Sequence, residues 1–359
     1  MNIEVSVVLP IFNGGRYLET AVKSILYQTL EAFELIIVDD GSTDCTGELL
    51  ARLAQADTRI VIIRNEGNEG VQKSLNKAIR ASRGDYIARM DADDVSLPSR
   101  LDKQIAVFRE NKDLVLVGSN CTLVDEKLSF IRPSFVPLDD WSIRCMFLFF
   151  NPFIHSTVML NGSVVREQGL RYDTSLKASV DYEMWGRVLD YGSVRNLPDQ
   201  LVLLRKHGGS FTNRYSKEQI DCFFKARNSY RKKLFGEQAD STQKYELDKA
   251  GFDPLNFDRG DVNPLNSISG CKSSMLMAET LSVRYPGKPA FKVHAFIASR
   301  AIWTAVRLFS EKGSQTLLRS AVQNDYKTLL GMVRLIFFRL WQYTQIIRLQ
   351  HFKYRSGVR

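Results

Sequence analysis

Leu35-Ile36-Ile37-Val38-Asp39-Asp40-Gly41-Ser42-Thr43-Asp44-Cys45-Thr46 runs from a continuous apolar segment through an acidic, glycine-containing turn into a helical pattern. An apolar run without polar alternation is how a parallel strand buried on both faces reads. The same grammar recurs on either side. Val5–Leu9, Ile60–Ile63, Tyr86–Met90 and Leu114–Val117 are further β-branched runs. Tyr17–Gln28, Thr46–Ala56, Val71–Ala81 and Arg100–Glu110 carry apolar residues three and four apart. This alternation predicts an α/β doubly wound, mainly parallel sheet with right-handed crossovers. Ligands of such sheets lie at the carboxyl ends of the strands. Ser42, Thr43 and Asp44 offer capping oxygens for the helix from Thr46, and Pro98 suits the first turn of the helix from Arg100.

After Cys121 the pattern is mixed, with a helix expected over Asp181–Tyr191. Gly236–Asn266 reads as a loop-rich connection, and Ala295–Phe309 and Asp325–Gln350 as two basic, apolar-rich helices. The expected organisation is a domain over 1–215, a helical and loop-rich connection over 216–290, and basic amphipathic helices over 291–359.

The chain of 359 residues is 44% hydrophobic and carries a net charge of +9. Residues 291–359 hold 12 Lys/Arg against 2 Asp/Glu, leaving 37 against 38 for the first 290. The charge therefore belongs to the tail, and without a nucleic-acid-binding motif a nucleic-acid partner is excluded. Asn13-Gly14-Gly15 is not the G-x-G-x-x-G of a dinucleotide oxidoreductase. The five cysteines are scattered and never form C-x-x-C, which fits free thiols. No signal peptide and no uninterrupted apolar span of membrane length is read, so a cytoplasmic location is expected. In the tail, Leu330, Val333, Phe337, Leu340, Trp341 and Ile347 approximate an apolar stripe among Arg334, Arg339 and Arg348. Such a helix either packs on the rest of the protein or lies on an anionic membrane surface; the concentration of charge favours the membrane.

Three acidic turns are candidates for chemistry. At Asp39-Asp40, adjacent carboxylates repel and must be solvated or paired; Asp40 there suits the N–H of a base or a ribose hydroxyl. In Met90-Asp91-Ala92-Asp93-Asp94, three carboxylates in four residues invite a hard divalent cation, and Asp91 and Asp93 point to one side if the segment is extended. Asp181 opens a helix, where it is either a cap or a general base.

Taken in order, Val5–Asn13, Glu34–Ser42, Asn68-Glu69-Gly70 with Leu75-Asn76, Gly84–Asp94, His155–Met159, Asp181–Trp185 and Arg205–Ser210 resemble the family 2 glycosyltransferases of the GT-A fold. The likeness covers roughly residues 3 to 213 and extends to the bacterial cell-envelope polysaccharide enzymes. It implies an inverting, Mn²⁺- or Mg²⁺-dependent glycosyltransferase of hexosyl or N-acetylhexosaminyl groups. The donor is a nucleotide-diphosphate sugar, commonly a UDP-sugar, and the acceptor a saccharide or lipid-linked hydroxyl. By position, Pro10, Phe12 and Asn13 edge the nucleotide pocket and Asp40 reads the uracil. Asp91 faces the ribose and diphosphate, Asp91, Asp93 and His207 hold the metal, and Asp181 is the base. Phe12 stands where many relatives carry Tyr, and Val180 where an acidic residue is frequent. His155 reads as a core or loop histidine. The alternative is a sugar-nucleotide-binding protein without transferase activity, recruited to a membrane surface.

Overall fold

The computed structural model describes residues 3–148, 150–208 and 216–235. The expected loop-rich stretch and both C-terminal helices lie outside the described residues.

Strands β1 (Val5–Ile11), β2 (Phe33–Asp39), β3 (Ile60–Arg64) and β4 (Tyr86–Arg89) lie parallel in the order β3-β2-β1-β4. Every residue of β1 and β2 is buried, as their continuous apolar runs require. Helices α1 (Gly15–Leu26), α2 (Thr46–Ala56), α3 (Val71–Ala81) and α4 (Arg100–Glu110) connect or flank them. On α1 the buried residues are Leu18, Ala21, Val22 and Ile25, the three-and-four spacing of a single stripe. Burial of Leu18, Val22 and Ile25 stabilises the core by about 1.5–3 kcal/mol each. Because Pro10 pairs with Val38 and Ile11 with Asp39, the loops after β1 and β2 end level with each other.

The second half of the sheet departs from the doubly wound pattern. β8 (Met159–Asn161) runs antiparallel between β4 and β6 (Leu114–Val124), and β9 (Ser193–Arg205) runs parallel to β6. The edges are β5 (Val95–Ser96) on β9 and β7 (Phe130–Pro133) on β6, both antiparallel. Strand β6 extends well past the expected Val117. Its continuation, Gly118-Ser119-Asn120, looks like a break but is buried with its polar groups met from elsewhere. Thr157 Oγ1 accepts from Ser119 N at 3.2 Å and Asn120 Oδ1 accepts from Val136 N at 2.9 Å. Pairing with β9 is irregular here: Ser119 faces Leu197, whereas Cys121, two residues on, faces Val202.

α5 (Asp140–Phe147), α6 (Gly162–Glu167) and α7 (Val180–Val188) complete the first 208 residues. The helix α8 (Ser216–Phe235) packs on α7: Phe223 meets Tyr182 at 4.7 Å between ring centres, and Arg231 Nε donates to Leu148 O at 2.9 Å. α8 falls in one compact unit with the preceding residues. Among the described residues no helix is long and apolar enough to cross a membrane.

The capping assignments need correction. Ser42 Oγ accepts from Asn13 N at 2.9 Å, and Thr43 N donates to Asn13 Oδ1 at 2.8 Å, so these residues tie the β2 turn to the β1 loop. Only Asp44 serves α2, accepting from Thr46 N at 3.0 Å. Pro98 precedes α4, whose N-cap is Ser99, and its carbonyl accepts from Thr29 N.

Candidate active site

The loops at the carboxyl ends of β1 and β2 form one wall. Asp39 and Asp40 avoid mutual repulsion by facing different partners. Asp39 Oδ1 accepts from Ser42 N at 2.9 Å, with Arg64 Nε 3.6 Å from Oδ2. Asp40 is buried and accepts from Asn65 Nδ2 at 2.6 Å, Glu69 N at 2.9 Å and Gly70 N at 2.9 Å. Gly41, with φ of 76°, makes this possible: a Cβ there would lie 2.6 Å from the backbone of Gly67. With three of about four acceptor positions filled, Asp40 is fixed in orientation and retains one for a ligand N–H. Asn13, at φ of 49°, braces the neighbouring loop through Thr43. Pro10 is buried within β1, while the Phe12 ring is 45% exposed beside it, open to a flat partner.

The aspartate turn after β4 is built by long-range contacts. Asp91 pairs through both oxygens with the buried Arg89 and accepts from Ser156 Oγ at 2.6 Å. Asp93 Oδ2 lies 2.8 Å from His207 Nε2. Asp94 is buried, accepting from Arg205 N at 2.8 Å and bonded to Ser156 Oγ at 2.5 Å. One ligand oxygen from each of Asp91, Asp93 and Asp94 can be chosen with all three within 4.8 Å of one another. Burial and the neighbouring carboxylates push Asp94 well above the usual range and Asp93 upward, against the pull of His207. At Asp91 burial is outweighed by the Arg89 guanidinium, which holds it low. Stacked carboxylates with raised affinity for positive charge, all oxygen donors, fit a hard divalent cation. Of the expected ligands, Asp91 and Asp93 fall in this cluster together with Asp94, whereas His207 lies against Asp93 and is not one of the clustered ligands.

Asp181 lies in the first turn of α7 but does not cap it; Ser179, at φ of 54°, is the N-cap. Its Oδ2 accepts from Asn151 Nδ2 at 2.7 Å. Burial raises its pKa, while the Tyr182 N–H and the Arg89 charge oppose the rise. The carboxyl is therefore a stronger base than usual, held by a neutral amide. Val180, buried beside it, supplies no charge. His155 is half-buried, with Nε2 2.8 Å from Tyr172 Oη and its ring against Trp185.

Sequence reasoning passed over Arg89, Arg100, Ser156, Asn151 and Arg205 as members of the site. Arg89 had a usable signal, a charge inside an otherwise buried strand. Arg100 is fully buried behind the turn, donating to Arg89 O at 2.8 Å; burial and the Arg89 charge lower it to about 9. Ser156 and Asn151 carry no local mark.

Residues 6–151 match Glycosyl transferase family 2. An uncharacterized glycosyltransferase of Haemophilus influenzae is 32% identical over 273 residues, spanning 74% of this chain and 78% of its own. The O-antigen biosynthesis glycosyltransferase WbnJ of Escherichia coli is 33% identical over 61% of this chain and 85% of its own. Among solved structures, S. aureus TarS 1-349 in complex with UDP-GlcNAc superposes with a TM-score of 0.54 at 16% identity, covering 90% of this chain and 93% of that one. Against the longer TarS chain the coverage is 54% of that chain. The shared architecture is the GT-A fold.

Proposed function

The chain belongs to glycosyl transferase family 2, and on that premise we propose an inverting transfer of a hexosyl or N-acetylhexosaminyl group from a UDP-sugar to a hydroxyl. The acceptor is a saccharide or lipid-linked saccharide of cell-envelope polysaccharide synthesis, a class supported by the likeness to an O-antigen transferase. The observation that carries this reading is the separation of two kinds of carboxylate. Asp91, Asp93 and Asp94 are gathered within reach of one cation, whereas Asp181 is held by an amide and keeps its charge for a proton.

Phe12 lies against the base and Asp40 accepts from the uracil N–H, with Pro10 and Asn13 shaping the edge. Asp91 turns toward the ribose and diphosphate. Asp91, Asp93 and Asp94, with His207 against Asp93, would hold Mn²⁺ or Mg²⁺. When bound, the cation supplies positive charge opposite the departing diphosphate. Asp181 removes the acceptor proton as the hydroxyl attacks the anomeric carbon from the far face, assistance worth about 10²–10⁴ in rate. Its pKa, raised by burial, strengthens it as a base. Single displacement of this kind inverts the anomeric centre.

We place the enzyme in the cytoplasm at the inner face of the membrane, with the basic segment 291–359 on anionic lipid. The decisive experiment incubates the full chain with a panel of sugar nucleotides and Mn²⁺ and measures release of the nucleoside diphosphate. Release that EDTA stops supports a transferase. Donor binding without release under any acceptor condition would instead establish the non-catalytic sugar-nucleotide-binding protein.

A further inference from the structure

Tyr17, in the first turn of α1, contacts both side chains that grip Asp93. Its ring centre lies 4.5 Å from the Arg205 guanidinium carbon and 5.1 Å from the centre of the His207 ring. Arg205 Nε donates to the Asp93 carbonyl at 2.7 Å, and its Nη1 to the Glu126 carbonyl at 2.6 Å. His207 meets the Asp93 carboxylate at 2.8 Å. One ring therefore steadies the contacts to both the backbone and the side chain of one residue. A second strut closes the arrangement: Arg16, stacked on the same ring at 5.0 Å, bridges to the Glu126 carboxylate at 2.9 Å. The Tyr17 hydroxyl takes no part, being buried without a hydrogen-bond partner among the described residues. A buried, unpaired hydroxyl lowers stability, so the favourable contacts of this side chain come from the ring. A ring face attracts a guanidinium through its quadrupole, more strongly where water is excluded.

We propose that Tyr17 is a positioning residue of the aspartate turn, holding Arg205 and His207 so that Asp93 is pre-set for a divalent cation. The role rests on the metal-dependent reading of the site, and it assigns to α1 a task in the metal centre 74 to 77 residues away in sequence. Rigid support of a ligand from outside its immediate contacts commonly sets metal affinity by about 10–100-fold.

The test is direct Mn²⁺ binding to the full chain, followed by electron paramagnetic resonance in the absence of substrate, alongside thermal unfolding. Tyr17→Phe is expected to bind Mn²⁺ within about twofold of the parent and to melt at an equal or higher temperature, since only the unpaired hydroxyl is lost. Tyr17→Leu is expected to weaken Mn²⁺ binding by about tenfold or more. Replacing residue 17 by phenylalanines bearing one, two and three fluorines drains the ring quadrupole at nearly constant shape and keeps the test open should the leucine variant not fold. Mn²⁺ affinity should then fall stepwise with fluorination. Unchanged affinity across the fluorinated series, or in a folded Tyr17→Leu protein, overturns the role of Tyr17. Loss in Tyr17→Phe equal to that in Tyr17→Leu would transfer the role to the hydroxyl and overturn it too. Absence of Mn²⁺ binding by the parent protein would overturn the metal reading itself, a failure distinct from these.

Discussion

Asp40 on one side of the sheet and Asp91 with Asp93 on the other are held by different means. On the parallel side, Asp40 is gripped by two backbone N–H groups and an amide, all neutral. On the mixed side, Asp91 faces the guanidinium of Arg89 and Asp93 the imidazole of His207. Neutral donors fix a carboxylate's direction without cancelling its charge. Cationic partners share the charge, so an incoming ion must complete a set already partly balanced. The parallel side is thereby suited to reading a fixed shape, and the mixed side to admitting and releasing charge. Within the second half Asp94 also rests on neutral donors, a backbone N–H and a hydroxyl, and Asp181, the exception outside the aspartate turn, is held by the Asn151 amide with its charge unspent.

Breaking that exception should have the largest effect. Asp181→Asn is expected to lower turnover by about 10²–10⁴-fold while leaving nucleotide binding within about twofold, measured by single-turnover kinetics and calorimetry. Normal turnover would remove Asp181 from the base role. Next is the charge-sharing side: Asp93→Asn should lower Mn²⁺ affinity by about 10–100-fold with little change in UDP affinity measured without metal. Asp40→Asn should do the reverse, weakening UDP binding by about tenfold, the worth of one charge-assisted hydrogen bond, with Mn²⁺ affinity unchanged. If both variants moved both ligands equally, the division between the halves would not stand.

Two pH effects are smaller and opposite in sign. Asp181 is raised by burial, so turnover should fall as pH drops through a midpoint above the ordinary aspartate range, and stability attributable to its neutral form is present at low pH and lost as pH rises through that same midpoint. Glu34, at the start of β2, is buried, but the Arg83 guanidinium and the Ser6 hydroxyl hold its carboxyl low despite burial. Its contribution is present above the ordinary glutamate value and lost as pH falls through the depressed one. Glu34→Gln should flatten that acid limb in thermal unfolding while leaving nucleotide and Mn²⁺ binding unchanged.

The same contrast explains what could be read in advance. Thr46–Ala56, Val71–Ala81 and Arg100–Glu110 coincide with the helices found, because apolar periodicity and buried strands are local signals. Asp39 and Asp40 find partners within about thirty residues, and their turn announces itself. Asp94 meets Arg205 across 111 residues and Asp93 meets His207 across 114, distances over which composition is silent. Their place in one site was implied by resemblance for Asp93 and His207 and by nothing for Arg205 as its support. The extension of β6 was hidden for a related reason: Ser119 and Asn120 look like a break until Thr157 and the Val136 N–H arrive to satisfy them.

The irregular pairing of β6 with β9 carries a consequence in parity. Between Ser119 and Cys121 the partner strand advances five residues for two, an excess of three. Successive strand residues alternate sides, so an odd excess exchanges inside for outside. Arg195 and Arg205 are an even number apart and in an unbroken strand would share a face, yet Arg195 is exposed and Arg205 is buried against the aspartate turn. The excess is what turns Arg205 inward. For insertions or deletions between residues 198 and 201, oddness matters before size: losing one residue would send residue 205 to solvent, whereas losing two would keep its side and displace it along the strand by about 6–7 Å.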